Sequence, residues 1–266
     1  MITESIIVLG SLGLAFGIFL AFASKKFHVD VNPHVDKVTD ALPSINCGAC
    51  GYAGCSAYAE AVVANKEVPI DLCIPGQKEV ADKIANILER DSTGEKIKLV
   101  AQLKCNGGKA EATDKFEYKG IKTCKAASLI NNGPKSCSHG CIGYGDCIPV
   151  CPVGAISMRD NKLPIVDKEK CIGCGKCVKA CPKILYKLVP KDKKIHVLCS
   201  SKEIVKDVIS ACKIGCIACK ACERACPIPD SAIHVNDNIA EIDYSKCVMC
   251  GKCVSACPRK IIVDER

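Results

Sequence analysis

The chain has 266 residues, 37 Lys and Arg against 29 Asp and Glu, and 24 cysteines, with no Trp at all. Cysteine at this density normally marks a short secreted disulfide scaffold, but much of it here falls in C-x2-C runs, whose thiols act as metal ligands, and ligand thiolates call for a reducing compartment. The formal charge of +8 carries no nucleic-acid signature, because no basic stretch is interleaved with aromatic residues.

Residues 5–23, SIIVLGSLGLAFGIFLAFA, are 19 residues without a charge. A helix of that length spans roughly 28 Å, close to the hydrocarbon core of a bilayer. Glu4 precedes the run and Lys25 and Lys26 follow it. A cleaved signal peptide needs a basic segment before the apolar run, which is missing. The expectation is a single-pass anchor over residues 1–24 in the inner (cytoplasmic) membrane. The positive-inside rule then puts the rest of the chain in the cytoplasm.

Residues 25–95 read as a linker followed by a small domain with four cysteines, Cys47-x2-Cys50-x4-Cys55 and the more distant Cys73. Glycines at 48, 51 and 54 let the backbone fold tightly around a bulky centre. The spacing predicts a helix after Cys55 and another after Cys73, to about Arg90. DSTGEK at 91–96 is a linker, since it fails the phosphate-loop pattern. Structural zinc is the rival occupant of the four-thiolate set.

Residues 96–134 contain an apolar run, IKLVAQLK at 97–104, read as a strand ending at Cys105, and then Cys124. Residues 191–212 repeat the arrangement, with IHVL at 195–198 before Cys199, and then Cys212. The two strands are expected to lie side by side and bring Cys105, Cys124, Cys199 and Cys212 together. The alternative is four ordinary buried thiols.

Residues 135–190 hold a stretched run, Cys137-x3-Cys141-x5-Cys147-x3-Cys151-Pro, and a regular one, Cys171-x2-Cys174-x2-Cys177-x3-Cys181-Pro. Residues 213–266 hold two regular runs, Cys216-x2-Cys219-x2-Cys222-x3-Cys226-Pro and Cys247-x2-Cys250-x2-Cys253-x3-Cys257-Pro. This is the run that holds [4Fe–4S] clusters in two-cluster ferredoxins, where the cysteine before proline serves the neighbouring cluster. The exchange rule groups Cys216, Cys219, Cys222 and Cys257, and groups Cys247, Cys250, Cys253 and Cys226. In the other unit it groups Cys137, Cys141, Cys147 and Cys181, and groups Cys171, Cys174, Cys177 and Cys151. Gly140, Gly143 and Gly145 are expected to absorb the extra residues of the stretched run. An apolar hairpin follows the first run of each unit, at 155–167 and 232–243, with turns at Asp160-Asn161 and Asp237-Asn238. The units are internal repeats. His139, His196 and His234 are expected to be bystanders, since cysteines fill the sets.

The fold class is therefore α+β: one transmembrane helix, a small four-cysteine [4Fe–4S] domain, and two ferredoxin-like two-cluster repeats. Five [4Fe–4S] clusters are expected, and a sixth if the four leftover cysteines form a set. Each cluster with its thiolates adds about −2, so six would carry the holoprotein from +8 to about −4. The basic C-terminal part, with 30 Lys and Arg against 19 Asp and Glu over 91–266, could steer an acidic protein partner. There is no catalytic triad, carboxylate pair or dinucleotide fingerprint, so the chain offers one-electron centres in series and no site for two-electron chemistry.

The order of parts resembles the B subunit of the Rnf complex. The resemblance rests on the N-terminal apolar helix, CGACGYAGC with distant Cys73, KCNGG at 104–108, and two ferredoxin repeats. It covers nearly the whole chain. It implies electron transfer within a membrane complex that oxidises reduced ferredoxin, reduces NAD+ and moves Na+ or H+. It also implies soluble ferredoxin and the other membrane subunits as partners, with flavin and nucleotide sites on those subunits. A polyferredoxin subunit of a hydrogenase or formate dehydrogenase would share the repeats but not the 47–73 segment. A zinc-binding interaction protein would be colourless.

Overall fold

A computed structural model describes residues 2–27, 32–91 and 97–266, with the side chains of residues 2–6, 8 and 9 left out. Part of the first linker (28–31) and most of DSTGEK (92–96) lie outside the described residues. Helix α1, Ile2–Lys26, has 25 residues and ends on Lys25 and Lys26. Its large apolar side chains from Leu12 to Phe22 are exposed. Among the described residues no helix is long and apolar enough to cross a membrane. Several side chains of the run expected at 5–23 fall outside that description.

Three helices build the small domain: α2 (Pro33–Ala41), α3 (Cys55–Ala64) and α4 (Gln77–Leu88). Asn32 caps α2 by accepting the His34 N–H, and Pro33 opens it where a missing N–H costs nothing. Val80, Ala81, Ile84 and Ala85 recur on one face of α4 and bury against Val38, Tyr58, Ala59 and Val62. Arg90 closes the domain by donating to the carbonyls of Lys66 (2.5 Å) and Val68 (2.8 Å).

The remaining elements form two similar units. The first has β1 (Leu99–Leu103), α5 (Cys124–Ser128), the hairpin β2 (Ile156–Met158) and β3 (Pro164–Val166), then α6 (Lys176–Ala180) and β4 (Tyr186–Pro190). The second has β5 (Ile195–Val197), α7 (Val205–Ala211), α8 (Ala221–Arg224), the hairpin β6 (Ile233–Asn236) and β7 (Ile239–Ile242), then α9 (Lys252–Ala256) and β8 (Ile262–Asp264). Asp237 (φ 46°) and Asn238 (φ 61°) make the tight left-handed turn expected between β6 and β7. In the first hairpin the left-handed residue is Lys162 instead (φ 60°).

The expected pairing of the strands before Cys105 and Cys199 does not occur. β1 pairs antiparallel with β4, with Val100 opposite Val189, and β5 pairs antiparallel with β8, with His196 opposite Val263. Each strand closes its own unit because the last strand of that unit returns to it with a matching apolar face. What meets is the ends of the strands. Asn106 N–H donates to Leu198 O (3.0 Å), and Ser200 Oγ donates to Lys104 O (2.9 Å). Cys105 and Cys199 therefore still face one another's loops.

A buried polar group joins the units. His196 is 1% exposed. Its Nε2 lies 2.9 Å from Lys168 Nζ of the first unit, and its Nδ1 lies 2.7 Å from Tyr244 Oη of the second. Lys168 also pairs with Glu265. Burial, with the Lys168 charge second, holds the imidazole at about 4, so it is neutral and accepts from Lys168. A folded value below the ordinary 6.5 means stability that is full above pH 6.5 and lost as pH falls through about 4. His196→Gln should therefore reduce the loss of stability between pH 7 and pH 5 by roughly 1–2 kcal/mol. Anaerobic thermal denaturation of both proteins at the two pH values measures this.

Candidate metal centres

None of the 24 cysteines is in a disulfide. Their backbone shows why the regular runs can wrap a common centre. In each C-x2-C-x2-C, the residues on either side of the middle cysteine have positive φ. These are Gly173 (68°) and Gly175 (72°) around Cys174, Ala218 (52°) and Lys220 (58°) around Cys219, and Met249 (57°) and Gly251 (80°) around Cys250. A non-glycine residue pays about 1 kcal/mol or more for this conformation. At Gly173 a Cβ would also lie 2.5 Å from Leu99 O, which rules out any side chain there.

The same signature corrects the stretched run. Gly143 (88°) and Gly145 (85°) flank Tyr144. Cys141, Tyr144, Cys147 and Cys151 thus keep the regular register, with tyrosine standing where the middle cysteine belongs. Cys124 comes to this loop. The Asp146 carboxylate accepts from the N–H groups of Cys124 (2.9 Å) and Lys125 (3.0 Å) and ties the start of α5 to this loop. Cys124, Cys141, Cys147 and Cys181 line one cavity of about 370 Å³. Cys137, surplus to the register, lines another of about 420 Å³ with Cys105, Cys199 and Cys212. Relative to the expected sets, Cys124 and Cys137 have changed places.

In the C-terminal unit the cysteines that line common cavities are those the exchange rule groups. Cys216, Cys219, Cys222 and Cys257 line a cavity of about 330 Å³, and Cys226, Cys247, Cys250 and Cys253 line one of about 340 Å³. Burial pushes Cys177 up to about 12, with Cys171, Cys174 and Cys147 adding repulsion. Burial likewise raises Cys174, beside Cys47, Cys151 and Cys171. In the small domain burial raises Cys73, and Cys55, Cys47 and Cys50 add to it. His139 pairs with Glu203 and also lines the cavity of Cys105, Cys137, Cys199 and Cys212, whereas His234 pairs with Glu223 and His196 with Lys168. Among the described residues no three His, Cys, Asp or Glu side chains are close enough to hold a single metal ion; a cubane cluster spreads its four thiolates wider than one ion does.

The surroundings suit thiolates bound to a cluster. Backbone N–H groups point at sulfur: Ala155 at Cys151 (3.2 Å), Leu185 at Cys181 (3.5 Å), Ala232 at Cys226 (3.3 Å) and Ala101 at Cys171 (3.4 Å). The N–H groups of Cys141 and Cys216 point at Cys105 (3.4 Å) and Cys199 (3.5 Å). Neutral thiols are weak acceptors, whereas anionic sulfur gains from such donors. Burial pushes Cys199, Cys222 and Cys253 up to about 11, so a bound metal must displace their protons.

The FeS model, an Fe–S cluster family, matches residues 42–75, and the 4Fe-4S dicluster domain model matches residues 137–185 and 215–261. The protein thus carries multiple [4Fe–4S] clusters. Neither model reaches Cys105, Cys124, Cys199 or Cys212. A buried hydroxyl also reaches sulfur: Tyr186 donates to Cys147 Sγ at 3.3 Å. Hydrogen bonds to cluster sulfur favour the reduced, more negative state. Tyr186→Phe should lower one midpoint potential by about 20–65 mV, the equivalent of roughly 0.5–1.5 kcal/mol for one hydrogen bond, in an EPR-monitored redox titration.

Curated relatives extend the match over nearly the whole chain. The B subunit of the ion-translocating oxidoreductase complex of Methanosarcina acetivorans is 43% identical over 262 residues, 98% of each chain. The B subunit of the proton-translocating ferredoxin:NAD(+) oxidoreductase complex of Clostridium ljungdahlii is 44% identical over 95% of this chain and 89% of its own length. The Na(+)-translocating counterpart of Acetobacterium woodii is 43% identical over 97% and 76%. With its cysteine sets and iron–sulfur domains in the same chain, the protein belongs to the B-subunit family of ion-translocating oxidoreductase (Rnf) complexes, in which its role is electron transfer.

Proposed function

We propose that the chain accepts electrons from reduced ferredoxin and passes them to membrane subunits of a complex that reduces NAD+ and translocates an ion. The observation that carries this reading is the order of the cysteine sets. The Cys226/247/250/253 set adjoins the Cys216/219/222/257 set, which meets the Cys105/137/199/212 set where Cys216 N–H donates to Cys199 Sγ. That bridging set meets the Cys124/141/147/181 set where Cys141 N–H donates to Cys105 Sγ. Cys147 neighbours Cys177 of the Cys151/171/174/177 set, and Cys174 neighbours Cys47 of the small domain. When bound, a [4Fe–4S] cluster in each set supplies a one-electron centre, so six in this order offer a path from the C-terminal unit to the N-terminal domain.

The chain's own residues do the rest. Thiolates hold each group, backbone N–H groups orient on sulfur, and buried Ile195, Ile233 and Ile262 keep water out. Ferredoxin docks on the C-terminal unit, where Cys219 and Cys250 are the exposed thiols and exposed Lys220, Arg224, Lys246 and Lys252 surround them with positive charge. Helix α1 inserts in the membrane. Its 25 residues reach about 38 Å, its large side chains from Leu12 to Phe22 are apolar and exposed, and Lys25 and Lys26 hold the following chain in the cytoplasm. Residues 25–95 carry the small cluster domain, 135–190 and 213–266 the ferredoxin-like units, and the segments 96–134 and 191–212 supply their first strands and three of the four bridging cysteines, Cys105, Cys199 and Cys212.

Iron content tests the sets. The full chain purified without oxygen should hold about 24 iron atoms, four per cluster. Cys124→Ser/Cys141→Ser should lose about four, because both belong to one set. A loss of about eight would put them in different sets. The assembly purified from native membranes should contain integral membrane subunits and reduce NAD+ with reduced ferredoxin. Reversing Lys220, Lys246 and Lys252 to Glu should slow ferredoxin oxidation at low salt, with the difference fading at high salt as charges are screened. A hydrogenase or formate dehydrogenase subunit in the assembly instead would overturn the reading.

A further inference from the structure

Lys135 is 7% exposed, which is unusual for lysine. Its ammonium has no carboxylate within 4 Å among the described residues, and its hydrogen-bond partner is the Gly107 carbonyl, at 2.6 Å. Gly107 in turn lies against the bridging set, since a Cβ placed there would come within 3.1 Å of Cys212 Sγ and 3.9 Å of Cys105 Sγ. Cys141 of the adjoining set reaches the same place, its N–H donating to Cys105 Sγ at 3.4 Å. The same ammonium acts on both thiols: it pulls downward on Cys141 and Cys212, against the burial that raises each. A buried cation without a counter-charge costs several kcal/mol. A buried oxygen of the Glu111 carboxylate lies by the neighbouring Gly108, and thiolate-bound groups in the two sets would add negative charge beside the ammonium.

We infer that Lys135 is a redox-tuning residue whose buried positive charge, lodged between the Cys105/137/199/212 and Cys124/141/147/181 sets, holds the reduction potentials of both above what their thiolates alone would give. The inference rests on the ligand sets proposed above. Adding an electron to either group adds negative charge beside a fixed cation in a poorly screened interior, and the reduced state gains from that. The two groups sit at the junction of the ferredoxin-like units, so this charge favours electron occupancy where the path passes from one unit to the other. It also accounts for the glycine in KCNGG: Gly107 leaves room for Cys212 sulfur while its carbonyl fastens the ammonium.

The test is an EPR-monitored redox titration of the full-length holoprotein, purified without oxygen, with iron counted on each sample. Three variants separate charge from packing: Lys135→Met removes charge and donor, Lys135→Gln keeps a donor for Gly107 O without charge, and Lys135→Arg keeps both. The expected result is full iron throughout and, in Met and Gln, a reduced-to-oxidised ratio about tenfold lower for two of the centres at the wild-type midpoint, or 59 mV per one-electron couple. Lys135→Arg should restore most of the shift. Unchanged potentials in Met and Gln with full iron would make Lys135 a structural tie to Gly107 and overturn the inference alone. If both neutral variants load poorly while Arg loads fully, the charge serves assembly and not tuning, and the inference is again overturned. Wild-type iron near 20 would instead overturn the ligand sets on which it depends.

Discussion

The structure depends on gathering 24 thiols, most of them buried or half-buried, without letting them pair with one another. Thiols brought near one another repel once ionised, and burial raises most of those with a resolved shift. An apolar core alone has no means of pulling four of them inward. Left-handed backbone on both sides of each middle cysteine turns the sulfur atoms towards a common point, and it does so even where Ala218, Lys220 and Met249 carry side chains that disfavour it. That strain is tolerable because a bound metal centre contributes folding free energy of its own.

Cysteines also take part in the apolar cores. Among the described residues, each of the three buried clusters includes cysteines: Cys73 with Tyr58 and Ile84, Cys171 and Cys177 with Leu163 and Leu185, and Cys222 and Cys253 with Ile195 and Ile262. Aromatic side chains are few, and the large ones that are buried have polar duties. Tyr186 reaches Cys147 sulfur, and Tyr58 donates to Pro69 O at 2.8 Å. The bridging set and the His196–Lys168–Tyr244 group lie on the same boundary between the ferredoxin-like units. The boundary is therefore held by electrostatics and by thiols drawn from both units, Cys105 and Cys137 from one and Cys199 and Cys212 from the other.

Much of this was legible in order along the chain. The regular runs at 171–181, 216–226 and 247–257 announced their chemistry by spacing, and the hairpin at Asp237-Asn238 announced its turn. The stretched run misled for a specific reason. Counting cysteines from Cys137 makes the loop look lengthened, whereas counting back from Cys151 in the regular spacing lands on Tyr144. On that count the glycines at 143 and 145 look like slack, yet they occupy the two left-handed positions that identify the register. Lys135 was invisible, because one lysine among many carries no mark of burial.

The sequence by itself determined the donors, the repeat and the family, because ligand type and local spacing are written within a dozen residues. It also determined that an apolar N-terminal helix precedes the cysteine domains. Only the tertiary structure decided which thiols line a common cavity. Cys124 reaches its set through Asp146, and Cys137 is left to meet Cys105, Cys199 and Cys212 across the unit boundary. Such groupings depend on where distant segments are brought by strand pairs such as β1 with β4 and β5 with β8, and short-range spacing holds no record of those long-range pairings.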